Sequence, residues 1–150
     1  MSRPPITILY ADDDPDDRLL TADALRDSRM SNRLEMVDDG AEVLAYLRRE
    51  GRWADPQLSP RPALILLDLN MPKMDGREAL AEIKADSRFS SIPVVILTTS
   101  RAEADVIRSY QTGANSYIAK PVTFEGLVQI MGDLNRYWFE VVELPEQQRD

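Results

Sequence analysis

The sequence predicts one α/β domain: a doubly wound parallel sheet in (βα)5 order, with helices on both faces. Three observations carry this. Leu64-Ile65-Leu66-Leu67 and Pro93-Val94-Val95-Ile96-Leu97 are apolar throughout, the composition of strands covered on both faces. Five strand-like segments alternate with five segments of helical spacing across 150 residues, with no repeat or low-complexity stretch. The first, third, fourth and fifth strand-like segments run into polar residues: Asp12 and Asp13, Asp68, Thr98, and Lys120.

Each element has its own justification. Ile6–Tyr10 is short and rich in β-branched residues, a strand. Asp14-Pro15 reads as an N-cap followed by proline at the first helical position, opening a helix on Leu19, Ala22 and Leu25 to about Arg29. Arg33–Val37 alternates as a second strand, and Asp38-Asp39-Gly40 starts a helix with Val43, Leu44 and Leu47 on one face. Gly51–Pro62 holds three prolines and no periodicity, so it reads as a loop. The strand ending at Asp68 is followed by the Asn70–Gly76 loop and a helix marked by Ala79, Leu80 and Ile83. Ser100 and Glu103 have capping-box spacing ahead of a helix on Val106, Ile107 and Tyr110, with Gly113 at its end. Ser116–Ala119 is the fifth strand. Thr123 caps a last helix with Phe124, Leu127, Val128, Met131, Leu134 and Trp138 on one stripe.

Composition narrows the function. A net charge of −8 argues against nucleic-acid binding, which needs a basic footprint. Histidine is absent, which removes the commonest general base and zinc ligand and any phosphohistidine on this chain. Cysteine is absent as well, and no apolar run reaches membrane-spanning length or the core of a signal peptide; the cytoplasm is the expected compartment.

In a parallel sheet the carboxyl ends of the strands share one edge, where ligands of open α/β sheets bind. That edge gathers Asp12, Asp13, Asp68, Thr98 and Lys120. Taken singly, each has a plain reading. Asp68 closes a strand, an acidic run complements a helix N-terminus, and Lys120 precedes a proline at a turn. Gathered together, the carboxylates repel: a pair at about 4 Å and an effective dielectric near 20 costs about 4 kcal/mol. A hard divalent cation such as Mg²⁺ relieves this, and would stabilise a phosphoryl group arriving at a carboxylate nucleophile. The Lys120 ammonium and Thr98 hydroxyl add a positive charge and a hydrogen bond. The constellation reads as metal-assisted phosphoryl transfer onto Asp68.

These residues resemble the receiver domain of two-component response regulators. The match rests on Asp12-Asp13, the block Asp68-Leu69-Asn70-Met71-Pro72-Lys73-Met74-Asp75-Gly76, Thr98 after its strand, and Lys120-Pro121. The resemblance implies a flavodoxin-like sheet of strand order 2-1-3-4-5, one receiver domain over residues 1–150 with its core at about 6–138. It implies that Asp68 accepts phosphate from the phosphohistidine of a sensor histidine kinase. It implies Mg²⁺ on Asp13, Asp68 and the Asn70 carbonyl, with Asp12 acting through water. Thr98 and Tyr117 would be the switch pair, and the Lys120–Pro121 bond would be cis. The long Gly51–Pro62 loop and the apolar tail from Arg136 to Pro145 look like stand-alone regulators paired with phytochromes. A bacterial phytochrome is therefore a possible kinase.

Other classes fit less well. A phosphatase of the haloacid-dehalogenase type also phosphorylates an aspartate at a strand end, but expects an acid where Asn70 stands. A calcium loop on Asp12, Asp14 and Asp16 would need glycine where Asp17 stands and would contain Pro15. An unphosphorylated interaction module would not need the full acidic, Thr and Lys set. The last helix carries a second apolar set, Ile130, Tyr137 and Val141, continued by Phe139, Val142 and Leu144 in an extension at 137–146. So much apolar surface predicts a homodimer through the last helix and tail.

Overall fold

The computed structural model describes residues 7–27, 33–98, 103–121 and 123–136. Five parallel strands run β1 Thr7–Ala11, β2 Arg33–Val37, β3 Leu64–Leu67, β4 Val94–Thr98 and β5 Ser116–Ala119, in spatial order β2-β1-β3-β4-β5. Between and after them come α1 Pro15–Asp27, α2 Gly40–Arg48, α3 Gly76–Ala85, α4 Glu103–Thr112 and α5 Phe124–Asn135. This is the doubly wound, flavodoxin-like architecture expected from the alternation.

Side-chain period two divides the strands between two cores. Leu9, Ala11, Ile65, Leu67, Val94 and Ile96 face α2 and α3, where Val43, Leu44, Leu47, Ala79, Leu80 and Ile83 meet them. Ile8, Tyr10, Leu64, Leu66, Val95 and Leu97 face α1 and α5, where Ala24, Leu25, Leu127, Met131 and Leu134 close the other side. β3 and β4 are buried along their whole length, as their unbroken apolar runs require.

The caps follow the sequence. Asp39 accepts from the Glu42 N–H, Asp75 from the Glu78 N–H and Thr123 from the Gly126 N–H, each satisfying an orphan donor of the first turn. Asp14 accepts from the Asp16 N–H at the start of α1. Ser100, proposed as the cap of α4, lies outside the described residues.

Several expectations are corrected. Leu25 is buried as expected, but Leu19 is 62% exposed; α1 also buries Thr21 and Ala24, because Thr21 reaches inward to the Tyr10 hydroxyl. On α4, Ile107 and Tyr110 are exposed and Ser109 is buried. Ile130 packs partly against the α1–α5 core rather than on a separate face. The Gly51–Pro62 loop contains a 3₁₀ turn, Gly51–Trp53, whose Trp53 is buried edge-to-face against Tyr46 at 4.9 Å between ring centroids. The Lys120–Pro121 bond is trans, the isomer that X–Pro bonds favour intrinsically by about 0.5–1 kcal/mol. Trp138 and the tail lie outside the described residues. Among the described residues, no helix is long and apolar enough to cross a membrane.

Candidate functional site

The backbone places the site before any side chain does. The Asp12 N–H donates to the Val37 carbonyl at 3.1 Å, the Asp68 N–H to Ala11 at 3.0 Å, and the Lys120 N–H to Thr98 at 2.8 Å. Each of these residues therefore continues a sheet ladder by one step past its strand. Thr98 is the last residue of β4. Four functional side chains thus rise from one edge at fixed spacing.

Asp68 is 6% exposed and the hub of the hydrogen bonding. Thr98 Oγ1 donates to its Oδ1 at 2.7 Å, and the Asn70 N–H donates to the same oxygen at 3.2 Å. Lys120 Nζ donates to its Oδ2 at 3.0 Å.

Lys120 joins three carboxylates: Asp68, Asp12, and Asp17 at 3.0 Å. Burial alone would lower its pKa; the Tyr10, Asp12 and Asp68 oxygens outweigh burial and raise it. It is a fixed cation in this site, not a proton donor. Asp12, 1% exposed, also accepts from the Tyr10 hydroxyl at 2.6 Å and the Asp14 N–H at 3.0 Å. Burial pushes the Tyr10 phenol upward, so it stays a hydrogen-bond donor.

Asp12, Asp13 and Asp68 each offer an oxygen within 4.8 Å of the others. Mg²⁺ takes hard oxygen ligands, and this closely gathered all-oxygen donor set fits such a cation. Asp13 is exposed, which leaves that side open to water.

The loop carrying Asn70 is pinned at both flanks. The Gly76 N–H donates to Leu69 O at 3.0 Å and the Gly40 N–H to Met74 O at 2.8 Å. A Cβ on Gly76 would collide with the Asp68 carbonyl, so glycine lets α3 start directly against the acceptor residue. Tyr117 sits in β5 opposite Ile96, half-buried against the α2–α3 core, with its N–H donated to the Tyr110 hydroxyl at 3.1 Å.

The sequence-predicted Asp12, Asp13, Asp68, Asn70, Thr98 and Lys120 are therefore brought together, with Tyr117 one strand away. Sequence reasoning missed Tyr10, Asp17 and Arg18, whose guanidinium donates to the Asp12 carbonyl at 2.6 Å. Tyr10 was findable: two residues before Asp12, it shares that residue's side of the strand. Asp17 stood in the acidic run without a partner to single it out.

The model of the response regulator receiver domain matches residues 8–131. This chain belongs to the response regulator receiver family. Response regulator Rcp1 of Synechocystis is 42% identical over 144 residues, covering 96% of each chain. The phosphorylated cyanobacterial phytochrome response regulator RcpA superposes with a TM-score of 0.88 at 42% identity, over 95% of this chain and 100% of that one. The Mn²⁺-bound form of Rcp1 gives 0.84, also at 42% identity, with the same coverage. As a receiver domain the chain has a signalling role, which sets aside the phosphatase and calcium-loop readings.

Proposed function

We propose that this chain is a single receiver domain over residues 1–150 that accepts a phosphoryl group on Asp68 from the phosphohistidine of a sensor histidine kinase. The observation that carries the reading is the convergence of Lys120 and Thr98 on the two oxygens of one buried carboxylate. In the transfer, an Asp68 oxygen attacks phosphorus, the P–N bond breaks, and the kinase imidazole takes the electron pair. Lys120 balances charge on the Asp68 side, and Thr98 exchanges its Asp68 bond for one to a phosphoryl oxygen. Asp12, Asp13, Asp68 and the Asn70 carbonyl would hold Mg²⁺, with Asp12 acting through water. The ion would supply positive charge to the incoming phosphoryl group. Thr98 and Tyr117 would relay the change to the surface.

A bacterial phytochrome is the proposed kinase, supported by the likeness to Rcp1 and RcpA over nearly the whole chain. The cytoplasm is the proposed compartment, and a homodimer through α5 and the tail the proposed assembly. The phosphoryl reading is tested by incubation with acetyl phosphate and Mg²⁺ and intact mass: one phosphoryl adduct per chain is expected, and none would contradict it. Light scattering of a chain lacking residues 137–150 tests the assembly; a dimer that survives the deletion contradicts it.

A further inference from the structure

Arg77 lies in the first turn of α3 and Asp105 in the first turn of α4. Arg77 Nε donates to Asp105 Oδ1 at 2.8 Å and Nη2 to Oδ2 at 2.7 Å, a bidentate fork. The side chains are 29% and 19% exposed, so water screens the pair only partly. The same guanidinium has Nη1 3.4 Å from the Leu69 carbonyl and 3.6 Å from Oδ2 of Asp75, the cap of α3. One side chain thus ties the residue after Asp68 and the start of α3 to the start of α4. None of these contacts takes part in holding or transferring a phosphoryl group.

The position of α4 matters because of Thr98. Thr98 donates to Asp68 and must turn to a phosphoryl oxygen when one arrives. Only residues 99–102 separate it from the start of α4 at Glu103. The chain thus links Thr98 to α4 by a short connection, whereas Arg77 is held on α3 and Leu69. We propose that the Arg77–Asp105 pair is a latch that holds the first turn of α4 on α3 in the unphosphorylated form and so sets how readily the domain switches. This rests on the Asp68 reading above. A contact made in one conformer lowers the population of the other, and a ligand specific for the second binds more weakly by that fraction.

The test uses beryllium trifluoride with Mg²⁺, a phosphoryl mimic for carboxylates, titrated into the full chain. Wild type, Arg77→Gln, Asp105→Asn and the double variant are compared, with thermal melts to confirm folding. Each single variant should bind the mimic roughly fivefold more tightly, the scale of an allosteric coupling. The double variant should bind no more tightly than either single, because both remove the same contact. A pair that only supports the fold would lower the melting midpoint and leave the affinity alone. Asp105→Asn keeps the shape of its side chain and carries the test if Arg77→Gln does not fold. Unchanged or weaker binding in the folded variants, or effects that add in the double variant, would overturn the latch alone. No binding to wild type would overturn the Asp68 reading and the latch with it.

Discussion

At the amino-terminal edge of the sheet, polar side chains direct their hydrogen bonds to backbone carbonyls. Tyr46 donates to Pro60 at 2.7 Å, Ser59 to Trp53 at 2.8 Å, and Lys84 to Ser90 and Ile92 at 3.0 and 2.9 Å. Arg61 reaches the Leu47 carbonyl in the same way. At the carboxyl-terminal edge, polar side chains bond mainly to one another: Thr98 and Lys120 to Asp68, and Tyr10 and Lys120 to Asp12. The first arrangement gives partners to groups that the fold would otherwise leave orphaned, although the buried Trp53 indole N–H has none among the described residues, and it gathers no like charges. The second sets three carboxylates, Asp12, Asp17 and Asp68, around Lys120, with Asp13 beside Asp12 and Asp68, and stays short of positive charge. Burial and hydrogen bonding look alike at both edges; charge balance separates a scaffold from a site.

The contrast predicts different consequences for substitutions at the two edges. The largest concerns Lys120. Lys120→Met should reduce labelling by acetyl phosphate on the order of a hundredfold, the scale of losing one preorganised charged donor. It should also cost about 3–5 kcal/mol of stability, because Asp12 and Asp68 are left buried without their cation. Labelling kinetics and denaturant melts check both, and a variant that labels at the wild-type rate breaks the comparison. At the other edge, Trp53→Ala should cost about 3–5 kcal/mol with the labelling rate unchanged in the folded fraction. A loss of labelling beyond the loss of folded protein would mean that the Gly51–Pro62 loop belongs to the site.

A smaller effect concerns the cation. Mg²⁺ at a hundredfold excess over Kd should stabilise wild type by about 2.7 kcal/mol, and Asp13→Ala should lose most of that gain. Melts of both proteins with and without Mg²⁺ decide it. The smallest concerns Tyr46, whose phenol is pushed up by burial from the usual 10.0. Because the folded value is raised, its contribution is fully present below pH 10 and fades as the pH rises through the folded value. Tyr46→Phe should cost about 1 kcal/mol at neutral pH, and less as that range is crossed. A cost that stays constant across the alkaline range would contradict the assignment.

How much was legible follows the same division. Asp68, Thr98 and Lys120 could be placed because each terminates a strand-like segment, and a parallel sheet puts such ends on one edge. The registers of α1 and α4 were only partly legible: Leu25 is buried as expected, but the buried positions include Thr21 and Ser109 while Leu19, Ile107 and Tyr110 face outward. Hydropathy cannot foresee a buried hydroxyl or an exposed leucine. Trp53 was hidden in a proline-containing loop without periodicity. Arg77 and Asp105 are 28 residues apart on different helices, and no local pattern joins them.

The central claim is that Asp68 alone receives the phosphoryl group. The direct measurement is labelling with acetyl phosphate and Mg²⁺, borohydride reduction of the acyl phosphate, and peptide mapping of wild type and Asp68→Asn. The account predicts modification at Asp68 in wild type and none in the variant. Modification mapped to Asp12 or Asp13 in wild type, or wild-type labelling of Asp68→Asn, would contradict it.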